Sequence, residues 1–194
     1  MSFWCVIDSK GGYMKFVEPI RDKEQIKKVK QVLKQSNQRN YLLFVLGINS
    51  GLRISDILKL KVKDVKNKKY IEIKEQKTKK YKKFPITKTL KLCIDKYTNN
   101  KISEDWLFES KRGSQPITRV QAYRIICNAF NNAVINLNIG THTLRKTFGY
   151  HFYQEKKDIV ILQKIFNHST PDITLRYIGI NQDIIDLNLM TFSL

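Results

Sequence analysis

No stretch of this 194-residue chain is apolar for the ~20 residues that a membrane-crossing helix takes. Its start, Met1-Ser2-Phe3-Trp4-Cys5, lacks the charged n-region and long apolar h-region of a secretion signal. These two absences predict a soluble protein of the cytoplasm. Cysteine is scarce: Cys5, Cys93 and Cys127 are far apart, odd in number and form no C-x-x-C pair. That argues against a disulfide framework or a zinc site and leaves buried or idle thiols. There is no D-x-D, no H-x-x-x-H and no suitably placed D-x-E pair to gather a metal, so neither metal nor cofactor is expected. No G-x-x-x-x-G-K-[ST] box for a nucleotide is present, and no internal repeat or low-complexity segment. Acidic residues are few as well. Seventeen stand against 36 basic ones, a net charge of +19. An imbalance this large in a folded domain implies a polyanionic partner.

What is present fits one domain of ordinary size, and 42% apolar content is enough for a core. The positive charge is clustered. Twelve lysines lie between Lys59 and Lys83, against Asp64, Glu72 and Glu75. A membrane surface would call for a basic amphipathic helix with a continuous apolar face. This segment reads instead as strands and turns, so the expected partner is nucleic acid and not a membrane. Lys79, Lys80 and Lys82 are its candidate DNA contacts.

The pattern is mostly helical with one small antiparallel sheet. Phe3–Ile7 and Tyr13–Val17 flank Gly11-Gly12, either as a small hairpin or as a loose extension. From Asp22 a helix is expected, with Asp22 and Gln25 as a capping pair and Ile26, Val29 and Leu33 on one face. A nearly all-apolar helix follows over Tyr41–Ile48, ended by Gly51. Ser55 is placed to cap a short helix carrying Ile57, Leu58 and Leu60. Tyr70-Ile71-Glu72-Ile73 alternates like a half-buried strand, Lys77–Lys80 is a polar turn, and Lys83–Ile86 suits an edge strand with Pro85. Helices are then predicted from Thr87 through Tyr97, and from a Thr118/Gln121 capping box through about Leu137. Three more follow at about 143–156, 159–167 and 171–178, the last capped by Thr170 with Pro171 in its first position. Ile184, Ile185, Leu187 and Leu189 make an apolar stripe in the tail.

The last quarter holds the chemistry. His142-Thr143-Leu144-Arg145 is followed by His168 and by Tyr177, and Arg53 stands upstream in Gly51-Leu52-Arg53-Ile54-Ser55-Asp56. Cutting a phosphodiester needs a nucleophile, neutralised charge on the non-bridging oxygens and a proton for the leaving oxygen. Without metals, arginines supply the neutralisation: a guanidinium offers a planar fork to two oxygens and stays charged at any working pH. Taken singly, each residue has a plainer explanation. Arg53 follows a helix end, where an arginine ordinarily caps carbonyls. A lysine in so dense a run is ordinarily a surface group. His142 and Arg145 suit a helix-start contact, and most tyrosines are packed aromatics. His151 is assigned no function.

Together the set resembles the tyrosine recombinase family (phage integrases and their relatives). Gly51–Asp56 is similar to the first arginine box and Lys77, in Gln76-Lys77-Thr78-Lys79, to the hairpin lysine. His142-x-x-Arg145 is similar to the second box. Phe166-Asn167-His168-Ser169 is similar to the third, where the family usually has Leu-Gly before the histidine. Tyr177 stands 177 − 168 = 9 residues further on, where the family places its nucleophile. The resemblance runs from about Asp22 to Tyr177. It implies that Tyr177 attacks phosphorus to form a 3′-phosphotyrosyl bond and that Arg53 and Arg145 hold the phosphate. It further implies that His168 bonds the phosphate, His142 assists proton transfer at Tyr177 and Lys77 is the general acid, a role that Lys79 or Lys80 also fits. Asp56 is placed to orient Arg53 or another site group. Free tyrosine has a pKa of about 10, so roughly one part in a thousand is phenolate at pH 7, and nearby arginines are expected to favour it.

The implied organisation is an extension over 1–20, a catalytic domain over 21–180 and a tail over 181–194 exchanged between subunits. The helical N-terminal domain usual in the family is expected to be absent. The expected partners are duplex DNA and further copies of the chain on it. Two other functions use much of the same sequence: a non-catalytic DNA-binding module of this fold, and relaxation of DNA in the manner of a type IB topoisomerase. A binding module has no need of Tyr177. The apolar tail favours recombination, because relatives dock that tail into a neighbour.

Overall fold

The computed structural model describes residues 6–7, 13–14, 17–77, 79–111, 113–180 and 189–192. Eight α-helices and four short strands are present among them. β1 (Val6–Ile7) pairs antiparallel with β2 (Tyr13–Met14), so the hairpin reading of the N-terminus is the one observed.

The helical frame follows from apolar spacing. α1 (Lys23–Ser36) buries Ile26, Val29 and Leu33, and Asp22 caps it by accepting from the Glu24 N–H. No reciprocal bond from Gln25 accompanies this cap among the described residues. α2 (Gln38–Ser50) runs down the middle of the molecule with Leu42 through Gly47 all buried. Asn37 serves both helices: its N–H closes α1 on the Leu33 carbonyl, and its side chain caps α2 at Asn40. Gly51 ends α2 at φ +61, where a Cβ would stand 2.5 Å from the Phe148 ring. The chain turns there into α3 (Ile54–Ile57). Arg53 occupies the N-cap position of α3 without a side-chain cap, so Ser55 lies inside the helix and does not cap it.

β3 (Tyr70–Lys74) and β4 (Tyr81–Pro85) form an antiparallel hairpin in which Ile71 faces Phe84, both buried. α4 (Lys88–Thr98) starts on the Thr87 cap, and α5 (Arg119–Asn132) on the Thr118/Gln121 box. α5 ends about five residues before the expected point. The chain leaves the helix through Ala133 and Val134, and Val134 takes φ +54. α6 (Thr143–Lys156), α7 (Ile159–Phe166) and α8 (Pro171–Ile178) lie where the periodicity puts them.

Three apolar clusters join these elements. One lies between α2, α4 and the hairpin, one between α1, α2 and α5, and one between α6, α7 and α8. Close approaches hold the frame tight. A Cβ on Gly47 would stand 2.5 Å from Leu144 of α6, and one on Gly149 would stand 2.7 Å from both Ile178 and Phe166. The segment before α1 crosses α6, with the Ile20 N–H donating to Thr147 at 2.9 Å and His151 donating to the Ile20 carbonyl at 2.8 Å. That gives His151 a structural role. Cys93 and Cys127 are free and half-buried, while Cys5 lies outside the described residues. Ile184, Ile185 and Leu187 also lie outside them, whereas Leu189, Met190 and Phe192 are exposed. No helix of the described residues is long and apolar enough to cross a membrane.

Candidate active site

Residues from four elements meet at the C-terminal end of α2. Arg145, in the first turn of α6, is only 3% exposed. Its Nη2 donates to the Phe166 carbonyl at 3.0 Å, its Nη1 donates to the Gly51 carbonyl, and its guanidinium lies 4.3 Å above the Phe166 ring. Gly51 is therefore tied to Arg145 two residues before Arg53, and this brings the two arginines together. Arg53 itself donates from Nη1 to Oε1 of Glu75 at 2.6 Å.

Glu75 escaped the sequence reading. It is wholly buried, one residue past the end of β3. Its Oε1 also lies 3.3 Å from Nζ of Lys82, and its Oε2 accepts from Asn167 Nδ2 at 2.9 Å. Strand alternation carries a signal for it: Ile71, Ile73 and Glu75 share the inward side of the hairpin. The same alternation places Lys82. It shares the inward side with Phe84 and is half-buried, unlike the exposed lysines of the turn. Its Nζ meets Glu75 and donates to the Ile165 carbonyl. Lys77, Lys79 and Lys80 lie exposed in the turn between β3 and β4. Among the described residues no hydrogen bond or ion pair holds the Lys77 side chain against the site. Among the described residues the Asp56 carboxylate makes no hydrogen bond or ion pair with the Arg53 side chain. It is buried, and its Oδ1 accepts from the Gln76 N–H at 3.1 Å, so it holds the turn that carries Lys77.

His142 sits at the N-cap of α6, with Nδ1 3.0 Å from the Tyr177 hydroxyl. His168 follows Asn167, the left-handed residue that ends α7, and its Nδ1 is 3.0 Å from the hydroxyl of buried Thr174. The His168 and Phe166 rings lie 5.1 and 5.4 Å from the Tyr177 ring. Lys146 is a second residue the sequence reading missed, and only its place beside Arg145 hinted at it. It is buried, its Nζ donates to the Val17 carbonyl at 2.8 Å and lies 5.2 Å from the centre of the Tyr177 ring.

This crowding of cations sets the protonation states. Loss of hydration, reinforced by Arg145, Arg53 and Lys82, pushes His168 down to about 4. Burial lowers His142 as well, followed by the charges of Arg145, Lys146, Arg119 and Arg53. Both imidazoles are therefore neutral at pH 7. Burial also lowers Lys82 and Lys146 below the usual lysine value. Tyr177 departs from expectation. Arg145 and Arg53 do favour its phenolate, but burial outweighs them, and its pKa is raised.

A buried arginine and a partly exposed one beside a phenol hydroxyl on a neutral imidazole suit attack on a phosphodiester. The fold is that of recombinase catalytic domains. It matches the crystal structure of XerA recombinase with a TM-score of 0.75 at 18% identity, over 94% of this chain and 67% of that one. It also matches XerH recombinase bound to a palindromic difH substrate, with a TM-score of 0.66 at 22% identity, over 87% of this chain and 51% of that one. The phage integrase family model matches residues 21–183, and the chain belongs to that family. Among curated relatives, it is 55% identical to the probable integrase/recombinase YoeC of Bacillus subtilis over 170 residues, which are 88% of this chain and 93% of that protein. It is 31% identical to a tyrosine recombinase of Pseudothermotoga lettingae over 150 residues, 74% of this chain. The chain spans 50% of that protein's length and 54% of that of the XerA recombinase of Pyrococcus horikoshii.

Proposed function

We propose that this chain cuts and rejoins duplex DNA site-specifically through a 3′-phosphotyrosyl intermediate, as a tyrosine recombinase. The observation that carries this is the Tyr177 hydroxyl, 3.0 Å from His142 Nδ1 on a helix packed against the arginine pair. Tyr177 attacks phosphorus, breaking the bond to the 5′ oxygen, and a neutral His142 accepts the phenol proton. Burial disfavours a free phenolate, so proton removal during attack is worth more here than a pre-formed anion. Arg53 and Arg145 bind the scissile phosphate and stabilise the charge that builds up on it. His168 bonds the same phosphate, its Nδ1 side engaged by Thr174. Lys77 delivers a proton to the leaving 5′-hydroxyl once DNA draws in the turn that Asp56 supports. The guanidiniums do the neutralising work of a metal, and the phosphotyrosyl bond retains the energy of the cut ester, so rejoining needs neither metal nor ATP.

Lys79 and Lys80 line the DNA approach along the exposed turn. Residues 21–180 form the catalytic domain, 1–20 an extension and 181–194 a tail that docks on a second copy. Leu189, Met190 and Phe192 offer apolar surface for that docking. A lambda integrase of the same fold was solved as a dimer on a core site, with a TM-score of 0.70, which supports assembly on DNA. DNA as the substrate supports work in the cytoplasm.

The test is Tyr177→Phe on a nicked suicide duplex carrying a candidate site. The variant keeps the ring and its packing, so binding persists and covalent adducts vanish. Adducts formed by the Phe variant would refute the assignment, as would cleavage by the wild type that EDTA abolishes and magnesium restores.

A further inference from the structure

Among the described residues Glu75 is the one carboxylate placed directly among the site cations, and nothing in the reaction requires its charge. A buried anion next to a phosphate-binding arginine works against phosphate, so its presence needs another reason. Its two oxygens divide between two sides of the site. Oε1 takes Arg53 at 2.6 Å and Lys82 at 3.3 Å, while Oε2 takes Asn167 at 2.9 Å. Asn167 immediately precedes His168 and stands in a left-handed conformation at φ +54. It replaces the glycine usual in the resemblance noted above, and its side chain is what Glu75 grips. One carboxylate therefore ties together the α2–α3 corner, strand β4 and the α7–α8 connection.

Resting on the proposed recombinase reading of this site, we infer that Glu75 is a positioning residue: it locks Arg53 against β4 and the His168 turn before DNA arrives. The charges call for such a group. Arg53, Arg145 and Lys82 are like charges set close together: Arg145 and Arg53 disfavour the Lys82 proton, and Arg53 disfavours that of Arg145. Arg145 resists this through two main-chain carbonyls and the Phe166 ring, whereas Arg53 has no bond to main-chain oxygen among the described residues. Without Glu75 the Arg53 side chain would swing toward solvent. With it, only Nη1 is engaged among the described contacts, and the other N–H groups of the fork are left for phosphate oxygens. Ordering the fork in advance removes the entropy cost of fixing it when DNA binds.

Two measurements on the full chain test this. In side-chain NMR, the Arg53 guanidinium N–H signals, assigned by loss in Arg53→Lys, should be resolved in the wild type. They should average like those of a solvated arginine in Glu75→Gln, with the main-chain amide spectrum still that of a folded protein. Glu75→Asp keeps the charge, shortens the reach by one methylene and should give an intermediate result; it also serves if Glu75→Gln does not fold. Arg53 signals unchanged in whichever variants fold would overturn the inference. The second measurement is the rate of covalent complex formation on a nicked duplex. Glu75→Gln should slow it ~10- to 100-fold, as when the partner that orients a functional ligand is removed. In an Arg53→Ala background the same change should cost less than about twofold, because the group it positions is gone. Equal losses in both backgrounds would make Glu75 a general scaffold and refute the positioning role. If the wild type forms no adduct, or Tyr177→Phe still does, the recombinase reading fails, and the NMR result decides the Glu75 contact independently.

Discussion

Arg145 and Arg53 serve one site but are held by different kinds of group. Arg145 lies within the helical frame, 3% exposed, on two neutral carbonyls and an aromatic face. Arg53 stands at the margin with the β3–β4 hairpin, and its partner is a charged side chain that came from 22 residues away. Main-chain carbonyls cannot be altered by substitution and move only if the helices move. A side-chain partner can be replaced at no cost to the backbone. The helical half of the site is thus inseparable from the fold, whereas the hairpin half is adjustable.

The largest expected difference is between the two arginines themselves. Arg145→Ala leaves the Gly51 and Phe166 carbonyls buried without their donor, and should cost about 3 kcal/mol of stability. Arg53→Ala leaves Glu75 with Lys82 and Asn167, and should cost about 1 kcal/mol. Both should slow adduct formation roughly 100- to 1,000-fold, the usual loss for one transition-state donor. Equal stability losses in chemical denaturation would break the contrast.

Gly149→Ala probes the helical half without touching a site residue. Its Cβ would meet Ile178 and Phe166 at 2.7 Å. A loss of about 1–3 kcal/mol is expected, with the Tyr177 helix displaced. Lys83→Ala is the hairpin counterpart. It removes an exposed ion pair with Glu72, and should change stability by less than ~0.5 kcal/mol.

His168 senses both halves, since Arg145, Arg53 and Lys82 all disfavour its proton. Its pKa is depressed to about 4 in the folded protein against an ordinary 6.5. Between those values the unfolded chain binds more protons, so stability should fall as pH drops from about 6.5 toward 4. His168→Asn should flatten that part of the stability–pH curve, and Arg53→Ala should raise the His168 pKa measured by NMR. A curve of unchanged slope in His168→Asn would place the titration elsewhere.

The smallest effects belong to the exposed turn. Lys79→Ala and Lys80→Ala should leave thermal stability alone. Each should lower the slope of log affinity against log salt by about 0.9 if its phosphate contact is lost. Slopes equal to wild type would remove these lysines from the interface.

Periodicity and caps were enough to place nearly every helix, because they are local. Ile26, Val29 and Leu33 recur at helical spacing, and Thr118 and Thr170 can satisfy the first N–H groups from within a few residues. Where local rules failed, a competing local choice won. Ser55 lost the cap position because the left-handed turn at Gly51 starts α3 one residue before it. Lys82 groups with Lys79 and Lys80 as a candidate DNA contact by its place in the lysine run, though alternation with Phe84 points it inward.

The sequence by itself determined which residue types are available for the chemistry: the arginines, the histidines and Tyr177 at their spacings, and a surplus of positive charge. Only the tertiary structure decided how they are held. That Glu75, and not Asp56, takes Arg53 depends on how the hairpin docks against the C-terminal end of α2. That Arg145 rests on Gly51 and Phe166 depends on packing between α2, α6 and α7. The sign of the Tyr177 shift is likewise a tertiary outcome. Charge and burial pull its proton in opposite directions, and the amount of burial is set by packed neighbours distant in sequence, which no local pattern encodes.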